Sequence, residues 1–278
     1  MVVRHVVARS VRDSAAVLDV LAGPEPGDPY YAPPPARPFA HEVGVDPAPL
    51  RIGLRTHAPM GAAATDDECV AAAEDAARLL ESLGHTVEPA SPAPLDETET
   101  MEPFLTVITT SVVHDVHDLA AKLGREVGPD DVEPLTWAQY EMGVTSTGVQ
   151  LVEAVAAAHA WSRRVASWWE PTDRGGSGFD LLLTPTMAEP PPVLGDLVAT
   201  KDDPWHALDR ATPFAVYCAP FNITGQPAMS VPLYWSASNL PIGVQLVAPY
   251  AREDLLLQVA SQLESARPWA DRRPVVHA

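Results

Sequence analysis

The chain has 278 residues, 46 % hydrophobic and 20 % charged, a balance that supports a packed core and excludes both an intrinsically disordered chain and a protein built of apolar spans. Its 18 Lys+Arg against 37 Asp+Glu give a formal net charge of −19, which repels a phosphate backbone and an anionic membrane surface and argues against nucleic-acid and membrane partners. The two cysteines, Cys69 and Cys218, stand far apart, fit a reducing compartment, and make neither a disulfide framework nor a Cys-rich zinc site.

Arg4, His5 and Arg9 interrupt the apolar run that an export signal needs, and no window approaches the roughly 20 apolar residues of a membrane span, so a soluble, cytoplasmic protein is expected. Ser10 and Asp13 have capping-box spacing, and Val11, Ala15, Leu18 and Leu21 recur at helical intervals until Gly23-Pro24. Residues 24–49, rich in proline (30 in the whole chain), predict a long surface excursion. Arg51–Arg55 predicts a strand. Thr65 and Glu68 predict a helix start, with Val70, Ala73, Ala77 and Leu80 on one face and Gly84 past the end; His85–Val87 then completes a βαβ-like unit.

Residues 100–124 and 146–169 predict two helices, the second with Val155, Trp161, Val165 and Trp168 as a core stripe. Phe179–Pro185 is a continuous apolar run suited to a strand buried on both faces. Ala228–Leu233 and Pro241–Val247 predict a hairpin across Ser236–Asn239, and a helix is expected from Arg252 to Ala266. Periodicity alone therefore predicts an acidic α/β protein.

Local motifs give little chemistry. Gly175-Gly176-Ser177-Gly178 has the glycines of an anion cradle, but it follows a helix and precedes a strand, the reverse of a phosphate loop, and reads as a flexible loop. His114, Asp115, His117 and Asp118 lack a third ligand at useful spacing and read as a solvated helix face. The only lysines, Lys122 and Lys201, are not placed to act as the base of a Ser-Lys pair, and nine histidines pin down no Ser/His/Asp triad.

The informative stretch is Pro220-Phe221-Asn222-Ile223-Thr224-Gly225-Gln226-Pro227-Ala228-Met229-Ser230-Val231-Pro232, followed by Leu240-Pro241-Ile242-Gly243-Val244-Gln245-Leu246. Gly225 and Pro227 predict a tight turn that offers Asn222, Thr224 and Gln226 to a polar ligand or serves as a structural loop. With Phe179–Thr186, the terminal Glu253–Leu257 to Leu263-Glu264 helix and the opening Ala8-Arg9-Ser10-Val11-Arg12-Asp13 to Gly23, these segments resemble, in order, the C-terminal portion of the amidase signature family, and within it the bacterial branch that includes nylon-oligomer hydrolases.

That resemblance implies a mixed β-sheet flanked by helices, one partial amidase domain over 1–278, and hydrolysis of carboxamide C–N bonds without metal or organic cofactor. The family's two serines, in a Gly-Gly-Ser-Ser-Gly-Gly type segment, and its lysine lie before the helix that begins here at Ser10, so no catalytic residue transfers and the chain alone is expected to be inactive. What transfers is pocket wall: Thr184, Pro185 and Thr186 at one strand end, and Phe221, Asn222, Thr224, Gly225 and Gln226 in the turn. The implied partners are a separately encoded N-terminal piece and, once that is in place, a small-molecule amide; the alternative is a non-catalytic remnant or interaction module of the same ancestry.

Overall fold

The structure, a computed structural model, describes residue 3 and residues 5–273. Helix α1 (Val11–Leu21) starts as expected, the Ser10 hydroxyl accepting from the Asp13 N–H at 3.1 Å, whereas the Asp13 carboxylate turns to Arg12 and leaves the reciprocal half of the capping box unmade. The proline-rich stretch is exposed without interruption from 24 to 38. Asp19 then gathers the backbone N–H groups of Phe39 and Ala40, Phe39 enters the core, and buried Glu42 holds Arg37 and Gln258, so the second half of the expected excursion is part of the packed structure.

Strand β1 (Arg51–Leu54), helix α2 (Asp67–Ser82) and strand β2 (Thr86–Pro89) form the predicted βαβ unit, with β1 and β2 parallel. Asp66 rather than Thr65 caps α2, accepting from the Glu68 N–H at 2.8 Å; the Thr65 hydroxyl is engaged with the Tyr217 hydroxyl at 2.7 Å. Buried Ala72, Ala73, Ala76 and Leu80 let α2 lie close on the sheet. Helices α3 (Met101–Leu123), α4 (Pro134–Gly143) and α5 (Gly148–Ala166) follow, α5 opening on a full capping box between Thr147 and Gln150. Trp161, Val165 and Trp168 are buried as expected, but Val155 is exposed, the buried position of that turn of α5 being its neighbour Ala154.

Strand β3 (Leu181–Pro185) is buried at every position and lies at the centre of the sheet. After α6 (His206–Ala215) and the short α7 (Ala219–Thr224), β4 (Ala228–Trp235) and β5 (Pro241–Val247) form the expected antiparallel hairpin, and α8 (Glu253–Ala266) closes the fold. The sheet is mixed, in the order β2-β1-β3-β5-β4, with β3 parallel to β1 and antiparallel to β5. Residues of α1, α2 and α8 pack on one face against Ile52, Leu181, Leu183, Val244 and Leu246; on the other, Trp161, Val165, Trp168 and Phe221 pack against Leu182 and Val247.

Strand β4 ends the sheet. The Ala248 N–H donates to the Pro227 carbonyl at 3.0 Å, and alternation from that pair turns the backbone groups of Ala228 and Ser230 away from β5. Pro232, next in that outward series, has no N–H to offer. Among the described residues no helix is long and apolar enough to cross a membrane.

Candidate functional site

The parallel strands β1 and β3 end on the same side, and their loops are tied together by two buried polar groups. The Arg55 guanidinium donates to the carbonyls of His57 and Ala58, to the Ser91 hydroxyl and to both oxygens of Asp96, whose carboxyl the guanidinium holds below its ordinary range. Tyr217 donates to the Thr56 carbonyl at 2.9 Å, and burial raises its phenol above the usual value. Arg55 thus orders the loop after β1, and Tyr217 holds the segment between α6 and α7 against it.

Beside that segment, at the start of β4, lies a cleft of about 450 Å³. Five of the eight expected wall residues meet there: Thr186, Phe221, Asn222, Gly225 and Gln226. Thr186 continues β3 by donating its N–H to the Gly243 carbonyl, and its hydroxyl meets the Ser230 hydroxyl at 2.7 Å. Gly243 makes this pair possible, since a Cβ there would stand 2.6 Å from Ser230 Oγ and 3.0 Å from Thr186 Oγ1.

The expected turn at 222–226 is instead the end of a helix: Asn222 and Thr224 close α7, and Gly225 caps it with φ 73° and its N–H on the Phe221 carbonyl. Nothing lies within 4 Å of a Cβ built on Gly225, so the space beside it is open. Gln226 lines the cleft yet is buried, donating to the Ala248 carbonyl at 3.2 Å. The remaining three are placed elsewhere. Thr184 and Pro185 lie inside the sheet, Thr184 accepting from Gln245 Nε2 at 3.2 Å, and the Thr224 hydroxyl is buried without a partner among the described residues.

The cleft lining also takes in polar residues outside the expected set, among them Gln245, Cys218 and Ser230, and His5, whose Nε2 meets the Ser14 hydroxyl at 2.9 Å. Gln245 Nε2 also donates to the Tyr217 carbonyl at 2.9 Å, so one carboxamide joins β5, β3 and the segment before α7. Its signal was a lone amide inside an apolar strand. Cys218 points its sulfur at the Thr186 carbonyl at 3.5 Å; burial raises its thiol pKa, so it stays a protonated thiol rather than a thiolate nucleophile. Ser230 has no local signal, because its partner Thr186 is 44 residues away.

The loop at Gly175–Gly178, expected to be flexible, is stitched down by hydrogen bonds. Ser177 and Gly178 donate their N–H groups to the carbonyls of Trp168 and Glu170, and the Ser177 carbonyl accepts from Arg51 at 2.7 Å. Gly176 is required because a Cβ would fall 2.0 Å from the Glu170 carbonyl oxygen. Both lysines face carboxylates, Lys122 on Asp118 at 2.6 Å and Lys201 on Asp130. His114 and His117 are exposed on α3, with His117 edge-on to Tyr140, and no group of three metal-ligating side chains occurs among the described residues.

A family model described as Amidase matches residues 2–257. The chain is 39 % identical over 272 residues to the 6-aminohexanoate-cyclic-dimer hydrolase of Pseudomonas sp. (strain NK87), covering 96 % of this chain and 54 % of that protein. It is 33 % identical over 286 residues to the putative amidase AmiA2 of Mycobacterium tuberculosis (strain ATCC 25618 / H37Rv), with 99 % and 53 % covered. The solved structure of a 6-aminohexanoate cyclic dimer hydrolase complexed with substrate superimposes with a TM-score of 0.89 at 39 % identity, over 96 % of this chain and 55 % of that one. A bacterial aryl acylamidase, at 20 % identity and a TM-score of 0.69, shares the fold. The chain thus spans about half the length of the curated relatives it matches, and a family model that runs through most of it, on a mixed sheet of matching architecture, places it in the amidase signature family, in the bacterial branch that includes the nylon-oligomer hydrolases.

Proposed function

We propose that this chain is the substrate-walling portion of a carboxamide hydrolase, and that it hydrolyses a C–N bond only when an N-terminal portion supplies the serines and the lysine. The carrying observation is the joint one of coverage and chemistry: the chain matches about half of each relative, and both of its lysines are paired with carboxylates. A serine hydroxyl becomes a nucleophile only with a base positioned to take its proton.

The complement would dock along the open side of β4, where the backbone groups of Ala228 and Ser230 have no partner among the described residues and the cleft lies alongside. Thr186, Phe221, Asn222, Gly225 and Gln226 then form one wall of the substrate site. Asn222 brings a carboxamide, and Thr186 and Ser230 bring hydroxyls, groups able both to donate to an amide oxygen and to accept from an amide nitrogen. Such chemistry fits a small-molecule amide handled in the cytoplasm without a cofactor.

The test expresses the chain alone and together with the N-terminal portion of the Pseudomonas hydrolase, and assays an aryl amide and the 6-aminohexanoate cyclic dimer. The expected result is no turnover alone and turnover on complementation. Hydrolysis by the chain alone that Ser177→Ala abolishes would overturn the reading. A complex that forms but stays inert would favour a non-catalytic interaction module instead.

A further inference from the structure

A second cleft, of about 500 Å³, lies at the other end of β4, between the segment at Ala8 and Arg9, the β4–β5 hairpin and the segment from Trp269 to Arg273. We infer that it binds a small molecule carrying a phosphate or carboxylate group on an apolar body. Three guanidiniums, those of Arg9, Arg272 and Arg273, line it against the single carboxylate of Asp271, in a chain whose formal net charge is −19. Arg12, Arg37, Arg51, Arg55, Arg125 and Arg210 each hold a carboxylate within 4.0 Å. The three arginines of the cleft make no such pair among the described residues.

Two of them are held in place by groups other than carboxylates. Arg9 donates from Nη2 to the Ala270 carbonyl at 3.3 Å, while its own carbonyl accepts from Trp269 Nε1 at 3.1 Å. Arg272 lies over the Trp235 ring, its guanidinium carbon 4.4 Å from the ring centroid, and its backbone N–H donates to the Trp269 carbonyl at 3.0 Å. A guanidinium held over an indole face can keep N–H groups directed away from the ring, and those edges match the paired oxygens of a phosphate or carboxylate. Pro232, Pro241 and the two tryptophans supply apolar wall beside the charge. The sum is a positive floor with an apolar side, which suits a compact organic anion; a polyanion would meet the strongly acidic remainder of the protein.

The test titrates the full chain at low ionic strength with inorganic phosphate, phenyl phosphate and benzoate, following tryptophan fluorescence and the indole N–H resonances of Trp235 and Trp269. Saturable shifts of both resonances are expected, tighter for phenyl phosphate than for phosphate and weakened by added salt; benzoate against phenyl phosphate reports which oxyanion is preferred. Arg9→Gln and Arg272→Gln should each weaken binding about tenfold, the loss of one charge-assisted contact. Arg12→Gln, whose parent guanidinium is paired with Asp13, should change nothing. Circular dichroism and thermal melts of each variant separate loss of binding from loss of fold. Absence of saturable shifts with all three anions, or undiminished binding in a folded Arg9→Gln/Arg272→Gln double variant, would overturn the inference.

Discussion

Replacing Gln245 by Leu tests whether the wall of the candidate cleft is held by one buried carboxamide. Gln245 is 3 % exposed, and its Nε2 donates to the Tyr217 carbonyl at 2.9 Å and to Thr184 Oγ1 at 3.2 Å. Leucine fills a similar volume, so little cavity is created; the cost comes from the acceptors left unpaired, chiefly a buried backbone carbonyl at about 1–3 kcal/mol, with a smaller loss at the Thr184 hydroxyl. The sum is about 2–4 kcal/mol. At roughly 2–4 °C per kcal/mol for a domain of this order, the melting midpoint should fall by roughly 5–15 °C. Urea unfolding followed by tryptophan fluorescence should show the midpoint moving at constant slope. Gln245→Glu should cost more than Gln245→Leu, because a buried carboxylate would face the two acceptors that the amide satisfied. Adding Thr184→Val to Gln245→Leu should cost less than the two changes separately, since it removes one of the stranded partners. If Gln245→Leu matched or exceeded the parent in stability, the hydrogen bonds at this junction would have no structural weight and the reasoning would fail.

Three further outcomes are expected. The Asp96 carboxyl is depressed by its hydrogen bonds with Arg55, so its contribution to stability is complete above the unfolded carboxylate pKa of about 4 and is lost as pH falls through the lower folded value; Asp96→Asn should flatten the acid limb of a stability-against-pH curve, and an unaltered limb would refute the assignment. Gly176→Ala should destabilise the chain strongly, with a Cβ 2.0 Å from a backbone oxygen, while Ser177→Ala leaves the melt unchanged; equal melts for the two variants would count against the stitched loop. Gly225→Val places a β-branched residue at φ 73°, costing about 1–2 kcal/mol of stability as read from urea unfolding, and fills open cleft space, so activity of the complemented protein should drop beyond what lost stability explains; full activity in a folded variant would remove Gly225 from the site.

Much of the fold was legible because its elements have strong local signatures. Ser10, the alanine face of α2, the unbroken apolar run of β3 and the 236–239 hairpin all sit where periodicity and turn residues put them. Errors arose where two local readings compete. Thr65 and Asp66 can both cap α2, and the tie is broken by Tyr217, 152 residues from Thr65. Helix α7 has six residues, too few for a period, so Pro220 and Gly225 read as turn chemistry. Helix α6 carries Pro213 in its interior, a residue that reads locally as a helix breaker, and no element was expected there. The site was harder still. Thr186, Cys218, Ser230 and Gln245 belong to four different segments; the pairing of β3 with β5 and of β5 with β4 brings three of them together, and hydrogen bonds to Thr186 and Gln245 add the segment of Cys218.

The place of the cleft in the sheet also fits the proposed assembly. Strand β3 is flanked by β1 and β5, and residues that follow it, such as Thr186, are held by β5 on one side; β4 has a strand neighbour on one side alone. A site built on β4 therefore has a floor of backbone and small polar groups, a wall supplied by α7, and an open flank where Ala228 and Ser230 face outward. Hydrolysing an amide needs a nucleophile, a base and donors for the developing oxyanion converging from more than one direction. On the open side of β4 this chain offers hydroxyls, a carboxamide and, from the N-terminal segment, the imidazole of His5 on the Ser14 hydroxyl at 2.9 Å, while both lysines, Lys122 and Lys201, are engaged elsewhere with Asp118 and Asp130. In the proposed assembly the serines and the lysine arrive with the segment that covers β4, so sealing the edge and completing the catalytic site become one event, and loss of docking should abolish both protection of the Ser230 amide and turnover together.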